Sequence, residues 1–139
     1  MRPRAVIDSS SRNQIFTTIN DLQTYVLLDA GAACSCISLA FARRLKTKIT
    51  PSSLQDKLIT ADGNTLQRRG TTEVTAQLGH LQLRHRFEVI NGLRNNVIFG
   101  VDFLQNTHCV LDIQNSQVYF YEQAVILPLL EKKTNTALF

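Results

Sequence analysis

The stretch Leu27-Leu28-Asp29-Ala30-Gly31-Ala32 decides the fold of this chain. In it a carboxylate directly follows a run of apolar residues, and burying an unpaired carboxylate is costly. An Asp at such a place either accepts hydrogen bonds from nearby backbone N–H groups or has a chemical function. The small residues after Asp29 let a second backbone or a substrate approach the carboxylate closely, which favours the functional interpretation.

Around this stretch the dominant period of the sequence is two, which is typical of β-strands. Residues 14–19 and 24–28 flank an Asn20-Asp21 turn and predict a hairpin, whose second strand is apolar throughout and is expected to be buried on both faces. Gly63 and Asn64 tolerate positive φ and predict a second hairpin turn at 61–64. Further strands are predicted at 57–60, 65–67, 71–78, 81–90, 96–99, 110–113 and 117–120, with a terminal apolar segment at 124–130.

One or two short helices interrupt the strands. Ser38 is a capping residue, Phe41 and Leu45 are spaced i,i+4, and two arginines lie near the C-terminal end, so a two-turn helix is predicted over 38–45. Residues 101–104 indicate a second helical turn, and Pro51-Ser52-Ser53 is expected to be a loop. The fold class predicted from these patterns is mostly β.

Length and composition set the outer limits. The chain has 139 residues, 44% hydrophobic and 19% charged, which suits one folded domain and excludes a disordered chain. We expect a domain at 13–130 between an N-terminal extension at 1–12 and a C-terminal tail at 131–139. The sequence contains no apolar run near the ~20 residues that span a bilayer, and its first ten residues lack the apolar core of a secretory signal. Secretion and a membrane partner are therefore not expected.

The charge balance does not by itself identify a partner. The net charge is +4, which suits an acidic partner such as nucleic acid. The arginines occur in separated pairs rather than in a block, and the aromatic residues mostly occupy apolar strand positions, so solvated faces and core packing are the better interpretation. A basic nucleic-acid-binding β domain stays as the least favoured alternative.

Cysteine and histidine spacing does not indicate a metal site. Cys34, Cys36 and Cys109 contain no C-x-x-C pair, and the three histidines, at 80, 85 and 108, are scattered. Free and largely buried thiols in a reducing compartment are predicted. No metal or other cofactor is expected.

Two motifs together resemble a known family. Leu28-Asp29-Ala30-Gly31-Ala32 resembles the Asp-Thr/Ser-Gly-Ala active-site loop of retropepsin-like aspartic proteases, and the stretch from Val97 to Leu104 is similar to their second signature. The hairpin at 60–64 between them resembles the flap. The form of the second signature is most like that of proteases from gypsy-type LTR retrotransposons and related retroviral polyproteins.

The resemblance implies an all-β acid-protease fold that is active as a symmetric homodimer, because the chain contains a single such Asp loop. It implies a dyad of Asp29 from each chain that activates a water against a peptide bond, with a viral or retroelement polyprotein as the substrate. It also implies a mildly acidic optimum and a location in the cytoplasm or in virus-like particles.

The family's other site residues carry over by position. Ala30, Gly31 and Ala32 correspond to the active-site loop. Gly100 is expected to serve close backbone approach, and Asp102 to be a structural carboxylate at a helix start. Plain core packing is an equally good interpretation of each apolar pocket residue taken singly. The residues expected to contact substrate from the flap and the pocket are Ile59, Ala61, Asp62, Gly63, Leu66 and Ile98.

Ala30 departs from the family pattern, which has Thr or Ser at this position. In the family that hydroxyl bonds across the dimer, and two lost symmetric hydrogen bonds cost on the order of 1 kcal/mol each. A slow natural enzyme, a domesticated pseudo-protease and an engineered attenuated form all fit. The alternative function is a catalytically weak or inactive dimerisation or peptide-binding module.

Overall fold

The computed structural model describes residues 13–52, 57–59 and 65–130. The tip of the predicted flap and the two predicted terminal segments lie outside these residues. The described strands are β1 (Gln14–Ile19), β2 (Leu22–Leu28), β3 (Cys36–Ser38), β4 (Thr50–Pro51), β5 (Lys57–Ile59), β6 (Thr65–Leu78), β7 (Leu81–Asn91), β8 (Val97–Phe99), β9 (Val110–Asp112), β10 (Gln117–Phe120) and β11 (Val125–Pro128). The described helices are α1 (Leu39–Leu45) and α2 (Val101–Asn106).

The main sheet closes on itself. Its strand order is β1-β2-β8-β3-β7-β6, and pairing of Ile19 with Ala76 joins β1 back to β6. Strand β2 pairs in parallel with β8, and β3 pairs in parallel with β7. Strands β4 and β5 both pair with β6, whereas β9, β10 and β11 form a separate small sheet. This mostly-β architecture with two short helices agrees with the predicted fold class.

The core fills the inside of this closed sheet. Strand β6 buries every second residue from Thr72 to Leu78, as the alternating pattern predicts. Phe99 and Phe103 stack with ring centroids 3.8 Å apart, which ties β8 to α2. Helix α1 begins as predicted, since the Ser38 hydroxyl accepts a hydrogen bond from Phe41 N at 3.0 Å.

Three local expectations were wrong. Strand β2 is not buried on both faces throughout, because Tyr25 is 58% exposed and pairs with Phe16 on the outer face. Pro51 pairs with β6 instead of lying in a loop.

The separate strands predicted at 65–67 and 71–78 are one strand with a bulge between Arg68 and Gly70. Gly70 has φ +148°, and a Cβ at this position would collide with the Thr50 carbonyl oxygen, so only glycine fits; the glycine bends the strand without ending it.

Replacing Phe103 with alanine should lower the free energy of unfolding by about 3–5 kcal/mol, because the side chain is fully buried and stacked on Phe99. Urea unfolding followed by circular dichroism measures this change. Phe16→Ala is the matched control, since Phe16 is 46% exposed and its loss should cost about 1 kcal/mol or less. Equal losses in both variants would contradict the assigned core.

Candidate active site

Asp29 lies where β2 leaves the sheet. Its backbone N donates to Phe99 O at 3.0 Å, which continues the parallel pairing of β2 with β8 by one residue. The carboxylate turns back on its own loop, and Oδ1 accepts a hydrogen bond from Gly31 N at 2.8 Å. Ala30 and Gly31 are exposed and Asp29 is half-buried, so the apolar strand delivers a carboxylate to the protein surface.

The loop of residues 29–35, here called the Asp29 loop, is attached at several points to residues 99–102, here called the anchor segment. Val101 N donates to Ala32 O at 2.7 Å, in addition to the bond between Asp29 and Phe99. A Cβ on Gly100 would lie 2.6 Å from Ala32 O and 2.7 Å from Cys34 O, so the two backbones touch only because residue 100 has no side chain. Gly100 thus has the predicted role of close backbone approach.

Ser35 and Asp102 join the far end of the loop to the anchor segment. Ser35 is fully buried, and both its N and its Oγ donate to Asp102 Oδ1, at 2.9 and 2.7 Å. The same Oγ accepts a hydrogen bond from Gly100 N at 2.9 Å. Asp102 Oδ1 also accepts from Phe103 N at 2.8 Å. Asp102 therefore holds the loop and the start of α2, as a structural carboxylate would.

His85 completes this network from β7. Its Nε2 lies 3.0 Å from Asp102 Oδ2, and its ring meets Phe87 and Phe103 edge-on at 5.3 and 5.0 Å. Partial burial raises the pKa of Asp102, but hydrogen bonds from Ser35, His85 and Phe103 N outweigh burial and hold it below its usual value of 3.8. An ionised carboxylate only accepts hydrogen bonds, so Nε2 of His85 carries the proton.

The predicted substrate residues have different placements. Ile98 lies in β8 opposite Leu27 and is 8% exposed, so it is next to the strand that carries Asp29. Leu66 is half-buried near the start of β6. The backbone of Ile59 pairs with Thr65 at the end of β5. Ala61, Asp62 and Gly63 lie outside the described residues and stay predictions.

Sequence patterns missed Ser35 and His85 as parts of this site. Ser35 sits at the end of a run of small residues, which gives no sign that its hydroxyl is buried. His85 is one of three scattered histidines, and its partner Asp102 is distant in sequence. A strand that carries a histidine among alternating apolar residues is the signal that could have pointed to such a pair.

The cysteines differ from one another. Cys34 in the Asp29 loop is exposed, which corrects the prediction of largely buried thiols, while Cys36 and Cys109 are half-buried. Burial raises the pKa of Cys109 to about 12, and burial followed by the nearby Cys34 and Glu88 raises the pKa of Cys36 to about 12. The backbone of Cys34 faces Gly100, where the loop and the anchor segment touch. The Cys34 side chain is therefore directed to the surface.

Basic residues are spread over several elements. Arg68 pairs with Glu88 at 3.1 Å, Arg84 pairs with Glu73 at 3.1 Å, and Arg44 lies over the ring of Phe41 at 5.4 Å. Within residues 13–52, 57–59 and 65–130, no three His, Cys, Asp or Glu side chains come together as a metal site. No helix in this part of the chain is long and apolar enough to span a bilayer.

Comparison with known proteins places this site in context. The model of the family described as "gag-polyprotein putative aspartyl protease" matches residues 15–106, which is more than half of the 139 residues. No curated protein matches the sequence.

Solved structures share the fold, and three of them show the extent of the likeness. The retroviral protease-like domain of Ddi1 from Leishmania major superposes with a TM-score of 0.69 at 17% identity, covering 88% of this chain and 96% of that one. EIAV protease in complex with the inhibitor HBY-793 gives 0.60 at 24% identity, covering 78% and 99%. A retropepsin-like aspartic protease from Rickettsia conorii gives 0.53 at 17% identity, covering 82% and 88%. The fold is therefore that of the retropepsins, as the sequence motifs indicated.

Asp102→Asn should lower the free energy of unfolding by about 1–3 kcal/mol near pH 7, because charged acceptors make the stronger hydrogen bonds. Since folding lowers the pKa of Asp102 from 3.8, its contribution is present above that value and is lost as pH falls through the folded pKa. The difference between wild type and variant should therefore narrow below about pH 4. Urea unfolding at a series of pH values measures it, and a difference that persists unchanged to about pH 2.5 would contradict the assignment.

Iodoacetamide at about pH 8 should modify Cys34 well before the other two cysteines, because a thiol with a pKa of about 12 is almost entirely protonated there. Mass spectrometry over a time course gives the three rates. Modification in denaturant is the control, in which the three rates should converge. Equal rates in the folded protein would show that Cys36 and Cys109 are not protected.

Proposed function

The chain belongs to the family of gag-polyprotein aspartyl proteases, and we propose that it is an aspartic endopeptidase whose active site forms between two copies of the chain. The observation that carries this proposal is the placement of Asp29, on an exposed loop whose two ends are hydrogen-bonded to the anchor segment. Such a loop presents a carboxylate in fixed geometry to another surface. The retropepsin fold supports the same assignment.

A second copy is needed because one chain supplies one carboxylate of this kind. A two-fold axis near the loop would bring Asp29 of each copy together. Two carboxylates in contact cannot both ionise, so one keeps a proton near neutral pH. The ionised Asp29 takes a proton from a water, which attacks the peptide carbonyl, and the protonated Asp29 donates a hydrogen bond to the carbonyl oxygen. No covalent intermediate forms.

The substrate we propose is an extended peptide within a viral or retroelement polyprotein. The description of the family as gag-polyprotein proteases supports this substrate class. Gly31 is exposed and has no side chain, which suits close approach of a peptide backbone. The residues expected to contact the peptide are Ile98, Leu66, Ile59 and, in the predicted flap tip, Ala61, Asp62 and Gly63. We place the reaction in the cytoplasm or in virus-like particles.

Ala30 supports a second candidate, a weakly active or inactive dimerisation or peptide-binding module. Ala30 is exposed at the tip of the Asp29 loop and has no hydroxyl with which to bond to the partner's loop. The Asp29 carboxylate, which general acid–base catalysis requires, is nonetheless present. The two candidates differ in whether bound peptide is cut.

Cleavage of a mixed peptide library at about pH 5–6 and high protein concentration tests the proposal. Asp29→Asn should abolish cleavage. Asp21→Asn is the matched control, because Asp21 is an exposed turn residue at positive φ, where asparagine is well tolerated, and its activity should equal that of the wild type. Cleavage that survives Asp29→Asn would exclude the dyad.

Ala30→Thr should tighten the dimer about 30-fold, since it adds two symmetric hydrogen bonds of about 1 kcal/mol each. Sedimentation equilibrium measures the dissociation constant, and the same library measures activity. Cleavage by this variant alone would identify the chain as an attenuated enzyme. Absence of cleavage from both proteins as stable dimers would favour the binding module.

A further inference from the structure

We propose that His85 is a positioning residue for the Asp29 loop, acting through Asp102 and Ser35. The effect of His85 on catalysis rests on the proposed protease function. Its effect on the loop rests on geometry alone. His85 lies on β7, outside both motifs that define the site in the sequence. Its ring nonetheless makes a hydrogen bond to Asp102, the carboxylate that binds Ser35 at the far end of the Asp29 loop.

The Asp102 carboxylate is held in one orientation by partners on both oxygens. Its Oδ2 faces His85 Nε2, and its Oδ1 accepts from Ser35 N, Ser35 Oγ and Phe103 N. Without the His85 hydrogen bond, the Asp102 carboxylate can rotate toward solvent, since its side chain is 37% exposed. Rotation would weaken both hydrogen bonds from Ser35. His85 therefore fixes the plane of the carboxylate.

Ser35 transmits this orientation to the loop. Its hydroxyl donates to Asp102 and accepts from Gly100 N, so one side chain links the carboxylate to the anchor segment. The single hydroxyl proton goes to Asp102 while an oxygen lone pair accepts from Gly100 N, so the two bonds together fix the orientation of the Ser35 side chain. The Ser35 position in turn sets the path of the loop back to Gly31, whose N–H holds the Asp29 carboxylate.

The contact between the loop and the anchor segment is too tight to absorb a displacement. A methyl group placed on the Gly100 Cα would come within 2.7 Å of atoms of Ala32 and Cys34, so the two segments are in direct backbone contact. A shift of Ser35 therefore moves the loop instead of being taken up by side chains. His85 itself is fixed, because its ring packs edge-on against two phenylalanine rings and its side chain is 14% exposed.

A pair of substitutions at residue 85 separates the hydrogen bond from the packing. His85→Phe keeps a ring against Phe87 and Phe103 but removes the donor, and His85→Gln supplies an amide donor in place of the imidazole. We expect His85→Phe to lower kcat about tenfold at unchanged KM, and His85→Gln to restore most of it. His80→Gln, at an exposed turn position, is the matched control and should leave kcat unchanged.

Amide hydrogen exchange tests the loop without reference to catalysis. In His85→Phe, exchange of the Gly31 and Gly100 N–H groups should speed up about tenfold or more, whereas exchange in the separate sheet of β9, β10 and β11 stays unchanged. Ser35→Ala removes the acceptor of the Gly100 N–H itself, so in that variant faster exchange at Gly31 is the expected result. The double variant should resemble the single ones, because both act on one chain of hydrogen bonds. Exchange reports on the loop even if the wild type cleaves no peptide, so failure of the proposed function and failure of this inference are distinguishable.

Unchanged exchange at Gly31 and Gly100 in His85→Phe would overturn the inference, whatever the activity. Where the wild type cleaves peptide, unchanged kcat per folded dimer in His85→Phe would overturn the catalytic part of the inference, since His85 would then only order the loop. Faster exchange at the two glycines that His85→Gln reverses would establish His85 as a positioning residue.

Discussion

The contact between the Asp29 loop and the anchor segment is the constraint on which the rest of this structure depends. Two segments far apart in the sequence meet backbone to backbone at Gly100, with no space for a side chain between them. The parallel pairing of β2 with β8 brings them together, and the Asp102 carboxylate holds them. The closed sheet, the stacked Phe99 and Phe103 rings and the start of α2 all support this one junction.

The exposed part of the site depends on its buried part. Ala30 and Gly31 reach the surface, whereas Ser35 below them is fully buried. The small, mostly exposed residues of the Asp29 loop pack against little of the protein, so they do not by themselves fix the shape of the loop. Polar groups beneath it supply that shape through directional hydrogen bonds. Ala30 is exposed at the top of the loop and takes no part in these buried hydrogen bonds.

Local patterns predicted those features that local chemistry determines. The Asp29 loop follows from an apolar run that ends in a carboxylate and small residues, and helix α1 follows from the Ser38 cap. Tyr25 and the Gly70 bulge were misjudged, because the exposure of a strand face and the continuation of a strand through glycine are decided by neighbouring strands. The bond between His85 and Asp102 was missed for the same reason, since only the fold makes these residues neighbours.

The parallel pairing of β2 with β8 also has a consequence for synthesis of the chain. Leu28 pairs with Phe99, so the long segment between them must close into a loop, at a cost in chain entropy, before this pairing can stabilise the fold. On a ribosome, β1 and β2 emerge and can pair early, while the Asp29 loop waits for residues 97–102. Until then its carboxylate has no fixed geometry. Under the proposed function, cleavage would therefore begin only after residues 97–102 have been made and have paired with the strand that carries Asp29.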